Sequence, residues 1–260
     1  LDCSLNEFSM DFFSLKDKVV IVTGGNTGLG QGYSVALAKA GADLYIPTYD
    51  THWDDTRKAI EAEGRKVQFI QVDLTKRENI DKVVDGCMKS YGKIDVLINN
   101  AGTIIRTPLL EYKDEDWDKV MDININAVYH LSQAVAKIMD KQGYGKIINV
   151  ASMLAFQGGK FVPPYTASKH AVAGLTKAFA NELGSKNIQV NAIAPGYIET
   201  ANTAPIRADK ERNAEILSRI PAGKWGKPFD LMGAMVFLCS KAADYMNGHI
   251  LAVDGGWLVR

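Results

Sequence analysis

The stretch VVIVTGGNTGLGQGYSVALAK, residues 19–39, carries the decision about the fold. Val19 to Val22 form a β-branched run that passes through Thr23 into a turn with glycines at 24, 25, 28 and 30, and then into an apolar-periodic segment. The run reads as a strand, Val19–Thr23, and the segment as a helix, Gly28–Lys39. A backbone approaches a pyrophosphate closely only where side chains are absent, and a helix N-terminus presents free N–H groups at the positive end of its dipole. Gly24, Gly28 and Gly30, with Asn26, Thr27 and Leu29 between them, supply that arrangement in the strand–turn–helix context that gives the glycine pattern meaning. The same glycines also suit a turn that packs a helix tightly on a strand.

Outward from this unit the alternation repeats. Strands are expected at Asp43–Pro47, Lys66–Val72, Ile94–Ile98, Lys146–Ala151, Gln189–Ile193 and His249–Val253. Helices are expected at Asp55–Glu63, Lys76–Tyr91, Asp114–Gln142 (long enough for two), Tyr165–Leu183, Lys210–Ile220 and Phe229–Ser240. Nearly continuous apolar strands separated by helices predict an α/β fold, a doubly wound sheet of mainly parallel strands with helices on both faces. One domain is expected over 15–260, with an N-terminal extension at 1–14. The polar stretch Pro195–Gly223 reads as a mobile flap near 197–225.

The 260 residues hold 30 basic and 30 acidic side chains and are 47% hydrophobic. That composition excludes a disordered or collagen-like chain, and the balanced charge argues against a nucleic-acid partner. Cys3, Cys87 and Cys239 are far apart, so neither a zinc cluster nor a disulfide framework is expected, and a reducing, cytoplasmic setting suits them. No two of His52, His130, His170 and His249 have ligand spacing, so no metal is expected. No run of about 20 apolar residues predicts a membrane span. The first ten residues lack a signal-peptide pattern; they begin with Leu, which makes Met10 a candidate natural start. Met232–Met235 reads as core or subunit interface.

Three further strand ends face the expected ligand edge of the sheet. The end of the second strand carries Thr48 where an acid commonly grips an adenosine ribose. No Lys or Arg stands in the glycine turn or beside Thr48, and Arg57 is the nearest downstream. That weighs toward NAD over NADP. Asp73 and Leu74 end the third strand, where a carboxylate can bond an adenine amino group or simply be solvated. Asn100, Ala101 and Gly102 end the fourth, small enough to pass a flat ligand or to make a tight turn.

Tyr165 and Lys169 stand at i and i+4 on an expected helix and so share one face. A phenol titrates near 10, and a neighbouring ammonium favours its ionised form. A shift of two to three units needs roughly 3–4 kcal/mol. Ser152 ends the fifth strand on the same edge and can donate to a carbonyl oxygen beside that phenol. Asn124, in MDININAV, lies on a helix that can face the cleft and hold a water near Lys169, or it is a buried polar helix residue.

TGGNTGLG, NNAG, Asn124, Ser152, YTASK and NAIAPGYIET stand in the order and spacing of the short-chain dehydrogenase/reductase family, which the chain resembles from about Leu15 to its end. The resemblance implies a seven-stranded Rossmann-type sheet. It implies Tyr165 as acid/base, Lys169 on the nicotinamide ribose, Ser152 on the substrate and Asn124 in the proton relay. The Pro195-Gly196 segment would bring Ile198 and Thr200 to the nicotinamide amide. SMLAFQGG, VPPYTASK, RADKERNAEILSRIPAGKWG and DGGWLVR are similar to a bacterial group of 2-dehydro-3-deoxy-D-gluconate 5-dehydrogenases, also called gluconate 5-dehydrogenase-like. That likeness implies NAD(H)-linked exchange of a 5-keto group and a secondary alcohol on a six-carbon sugar acid, in uronate breakdown. A carboxylate substrate calls for a cation and amides, and Arg106, Gln157 and Arg207 are the candidates. Trp225 and Trp257 wall the pocket or fill a subunit contact. The family implies a homotetramer through Asp114–Gln142, Tyr165–Leu183 and the last strand. The competing readings are a gluconate 5-dehydrogenase, a 3-oxoacyl thioester reductase, and a catalytically silent dinucleotide sensor.

Overall fold

Seven strands, β1 (Val19–Val22), β2 (Asp43–Thr48), β3 (Val67–Gln71), β4 (Val96–Asn99), β5 (Gly145–Val150), β6 (Ile188–Pro195) and β7 (Ile250–Val253), form one sheet in the order β3-β2-β1-β4-β5-β6-β7. Every adjacent pair is parallel. The computed structural model describes residues 7–260, and Cys3 lies outside the described residues. The helices are α1 (Gly28–Lys39), α2 (Asp54–Glu61), α3 (Glu78–Tyr91), α4 (Asp114–Met121), α5 (Ala127–Gln142), α6 (Pro163–Leu183), α7 (Ala204–Ala208), α8 (Lys210–Arg219) and α9 (Pro228–Cys239).

Alternation along β1 shows why both faces are covered. Val20 and Val22 join a core with Leu37 of α1 and Leu231, Met235 and Leu238 of α9. Val19 and Ile21 face the opposite way, toward Val83 and Val84 of α3, Leu131 and Val135 of α5 and Ala180 of α6. Successive side chains of a strand point to opposite faces, so an all-apolar strand needs helices on each side. Each such side chain, fully buried, contributes about 1.5–3 kcal/mol. The sheet grows outward from β1 to β3 and then returns to β4, so the strand order reverses between β1 and β4. At such a point the flanking loops diverge and leave a crevice at the carboxyl ends of the strands.

Three expectations change. The segment expected as one or two helices over Asp114–Gln142 is a continuous helical run interrupted by a π-turn, Asp122–Asn126. Asp122, Asn124 and Asn126 compete locally for hydrogen bonds: Asn126 Nδ2 donates to Asp122 Oδ1 at 2.8 Å, while Asn124 bonds sideways out of the helix. Polar side chains of this kind disturb the regular ladder. The helix expected from Tyr165 starts two residues earlier, with prolines at its first positions, where no donor is needed. The polar stretch after β6 holds the helix expected there, α8, and ahead of it a short helix, α7, that was not expected.

Candidate active site

The crevice is built first by the glycine turn. Thr27 caps α1 in an extended conformation with no side-chain cap bond, so the first-turn N–H groups keep no partner from that source. Gly28 has φ +55°, and a side chain built there would meet nothing within 4 Å. Gly30 is the reverse case: a Cβ would lie 2.1 Å from the Gly24 carbonyl oxygen. Asn100 Nδ2 donates to the carbonyls of Thr23 and Gly24, at 3.0 and 3.1 Å, and Thr23 Oγ1 accepts from the N–H of Asn100 and Ala101. The turn is thus stitched to the end of β4, with Gly24, Thr27, Gly28 and Leu29 around an open cradle that a Cβ at Gly28 would fill. That cradle fits a dinucleotide pyrophosphate. Asn26 and Asn100 act through their amides as braces of the turn, since both use their N–H groups on the protein.

At the end of β2 the Thr48 side chain is buried, and its hydroxyl donates to the Asp50 carbonyl at 2.7 Å. Thr48 therefore does not offer its hydroxyl outward. The acid that sequence spacing missed is Asp50, two residues on. Its Oδ1 accepts from Asn26 Nδ2 of the glycine turn and from the His52 N–H, each at 2.9 Å. Only the bond from residue 26, 24 positions earlier, distinguishes it from an ordinary loop acid. Asp73 holds a local turn, accepting from the N–H and hydroxyl of Thr75, and Leu74 is buried behind it.

At the end of β5 stands Ser152, whose Oγ accepts from the Leu154 N–H at 3.1 Å. Tyr165 and Lys169 lie one turn apart on α6, with Lys169 Nζ 5.4 Å from the Tyr165 ring centroid. Lys169 is buried, and its ammonium donates to the Val150 carbonyl at 2.7 Å. Burial raises the Tyr165 phenol above its ordinary value, and the Ser152 hydroxyl and the Arg106 charge pull it back. The expected Lys169 effect is not among those influences. Burial itself lowers the lysine to about 8.

A pH effect follows. A lysine depressed on folding supports the fold above its unfolded value, and that support is lost as pH falls through its folded value. Going from pH ~10.4 down to 8 should cost about 3 kcal/mol through this one group. Lys169→Met should lose turnover, and its stability relative to wild type should be about 2–3 kcal/mol better at pH 7 than at pH 10.5. Urea unfolding at both pH values measures this; an equal gap would show that the ammonium carries no burial penalty.

Asn124 sits in the π-turn and is buried. Its Oδ1 accepts from the Thr103 N–H, and its Nδ2 donates to the Thr103 carbonyl and to Ser168 Oγ, at 2.8, 3.0 and 3.1 Å. Ser168 in turn donates to the Tyr165 carbonyl. The side chain braces the loop after β4 against the Tyr165 turn, with both N–H donors taken.

The remaining candidates divide. Arg106 is exposed and close enough to act on the phenol. Gln157 Oε1 accepts from Trp257 Nε1 at 2.9 Å and from Arg219 Nη2 at 3.4 Å. Arg207 is turned back on its own flap, donating to the Thr200 carbonyl at 3.2 Å. The Thr200 N–H donates to Thr203 Oγ1. Pro195 ends β6; Gly196 lets that end pass β7, since a Cβ would sit 2.5 Å from Asp254 Cα; Ile198 is buried against Gly226. Among the described residues no three His, Cys, Asp or Glu side chains gather as a metal site, and no helix is long and apolar enough to cross a membrane.

The family pattern described as short chain dehydrogenase matches residues 18–211. The 2-dehydro-3-deoxy-D-gluconate 5-dehydrogenase of Bacillus subtilis (strain 168) is 53% identical over 250 residues, 96% of this chain and 98% of that protein. YgcW of Escherichia coli (strain K12), an uncharacterized oxidoreductase, is 50% identical over 99% of this chain and 98% of its own length. A crystal structure from Agrobacterium tumefaciens with bound NADP, a candidate 2-deoxy-d-gluconate 3-dehydrogenase, is 49% identical, with a TM-score of 0.89 over 95% of this chain and 99% of that one.

Proposed function

The chain belongs to the short-chain dehydrogenase family, and from that premise we propose an oxidoreductase that interconverts a 5-keto group and a secondary alcohol on a six-carbon sugar acid. The pair is 2-dehydro-3-deoxy-D-gluconate and 3-deoxy-D-glycero-2,5-hexodiulosonate. The observation that supports this most is the meeting of Ser152 and Tyr165 under the charge of Arg106. A phenol and a hydroxyl suit a carbonyl oxygen, and a guanidinium within reach of them suits a substrate that carries its own carboxylate.

A bound nicotinamide dinucleotide supplies the hydride. In reduction Tyr165 gives its phenolic proton to the forming alkoxide, and in oxidation it takes the proton back. Ser152 donates a hydrogen bond to the same oxygen. Lys169 holds the nicotinamide ribose, and Asn124 and Ser168 hold the Tyr165 turn in place. Ile198 and Thr200 hold the amide end, and Arg106 holds the substrate carboxylate while α7 and α8 close as a flap.

NAD is the preferred dinucleotide in this reading. Asp50 presents a carboxylate at the adenosine end, tied to the glycine turn through Asn26, and a 2′-phosphate there would meet like charge. A homotetramer built on α4, α5, α6 and β7, a cytoplasmic setting and a place in uronate breakdown belong to the same proposal.

Steady-state kinetics on the diketo acid, 5-ketogluconate and an acetoacetyl thioester, each with NADH and NADPH, test it. The diketo acid with NADH should give the highest kcat/KM. A faster thioester reaction would favour the carrier-linked reductase, and no turnover on any would favour a silent sensor. Asp50→Asn keeps an acceptor for Asn26 but removes the charge, so the NADPH/NADH ratio of kcat/KM should rise about tenfold. An unchanged ratio would remove Asp50 from the selection.

A further inference from the structure

Three segments distant in sequence converge on the amide of Gln157: the turn after Ser152, the end of α8, and the DGGW turn at Asp254–Trp257. The last is built to hold one ring. Asp254 accepts through its two carboxylate oxygens from the N–H groups of Gly256 and Leu258, each at 2.9 Å. Gly255 and Gly256 take φ +64° and +90°, and a Cβ at Gly256 would press on the Pro221 ring at 2.9 Å. Two successive left-handed residues are open to glycine and strained for others. They deliver Trp257 to a buried position with Tyr197 edge-on at 4.7 Å and the Arg219 guanidinium over its face at 4.0 Å.

Trp257 Nε1 and the Arg219 guanidinium are donors only. Both meet the same atom, Gln157 Oε1. The oxygen end of that amide is therefore assigned by its partners, because the opposite orientation would set N–H against N–H twice. The amide's own two donors are left on the other side, with no protein acceptor among the described residues. Gln157 follows Ser152 by five residues, and its backbone N–H is tied to Met153 in the short helical turn that Ser152 caps.

We propose that Trp257 is a positioning residue for substrate: with Arg219 it locks the Gln157 amide so that its N–H groups are presented to an acceptor oxygen of the sugar acid. This rests on the functional reading above. The end of the flap helix takes part in the same lock, so flap closure and substrate recognition share one amide.

Two variants of the full chain test it. W257F keeps an aromatic ring under Arg219 and beside Tyr197 and removes the indole N–H together with part of the ring volume. The KM for the diketo acid should rise about five- to tenfold, with kcat and dinucleotide affinity within about twofold. Q157E keeps an acceptor for Trp257 and Arg219 but has no donor, so its KM should rise at least as far while its melting temperature stays near wild type. Active wild type with an unchanged KM in either variant overturns the proposal. A lowered melting temperature in W257F with KM unchanged does so too, since that is the mark of a packing role alone. No wild-type turnover on sugar acids removes the functional reading and this inference with it, a failure seen before any variant is compared.

Discussion

Tyr165→Phe is expected to lower kcat for the keto acid by about a thousandfold while dinucleotide affinity stays within about twofold. The substitution removes one oxygen and leaves the ring, so the packing of α6 persists and the Tyr165 backbone carbonyl still accepts from Ser168. What disappears is the only acid of the Ser152–Tyr165 pair with a proton to give at the reacting oxygen. Ser152 has a hydroxyl there, but its ordinary acidity is far too low for it to act as the acid. Rate measurement under saturating keto acid, beside a fluorescence titration with NADH, separates the two effects. A variant that keeps more than about a tenth of wild-type kcat would sink the assignment.

Gly30→Ala carries the second large effect. Its methyl carbon would lie 2.1 Å from the Gly24 carbonyl oxygen and 2.5 Å from Asn100 Nδ2. The first contact is backbone, so relief requires α1 to move away from β1 or the glycine turn to shift. Either movement breaks the Asn100 bonds that stitch the turn to β4. Dinucleotide affinity should fall at least about a hundredfold, with a loss of stability of about 1–3 kcal/mol. Gly174→Ala on α6 is the control, because a Cβ there meets nothing within 4 Å; it should be neutral or stabilising by up to about 1 kcal/mol. Calorimetric titration with NADH against both variants measures the contrast. Equal affinity in the two would show that the glycine turn is only a packing device.

The architecture was readable because one physical rule repeats. A strand buried on both faces is mostly apolar, as Val19–Val22 and Val96–Asn99 are, and a polar residue within one, such as Asn149 of Gly145–Val150, needs a buried partner. The sheet edge that collects Gly24, Asn100, Ser152 and Gly196 follows from strand direction alone. The pairing of Tyr165 with Lys169 on one helix face follows from helical pitch. The rest depends on partners that lie far along the chain. Nothing near Asn26 announces Asp50, and nothing near Gln157 announces Trp257, a hundred positions away. Asn99 is another case: it donates to Ser132 and Asn149, and Asn149 to Thr176, in a buried ladder joining β4, β5, α5 and α6. A letter states what a side chain can bond, and only the fold states to whom. The surroundings of Lys169 are a further case. Pitch brings Lys169 to the right face, but the Val150 carbonyl takes its ammonium.

The π-turn at Asp122–Asn126 leaves the count of residues in that stretch as meaningful as their identity. A π-turn takes up one residue more than the α-helical ladder on either side of it, so deleting one position would restore a smooth spiral and leave everything downstream on its present face. Asn124 would lose its hold on Thr103 and Ser168, while the apolar stripe of α5 would still face the core it shares with β4 and β5. A comparison of chains by letters alone would score such a gap as slight; at the site it would unfasten the brace behind Tyr165.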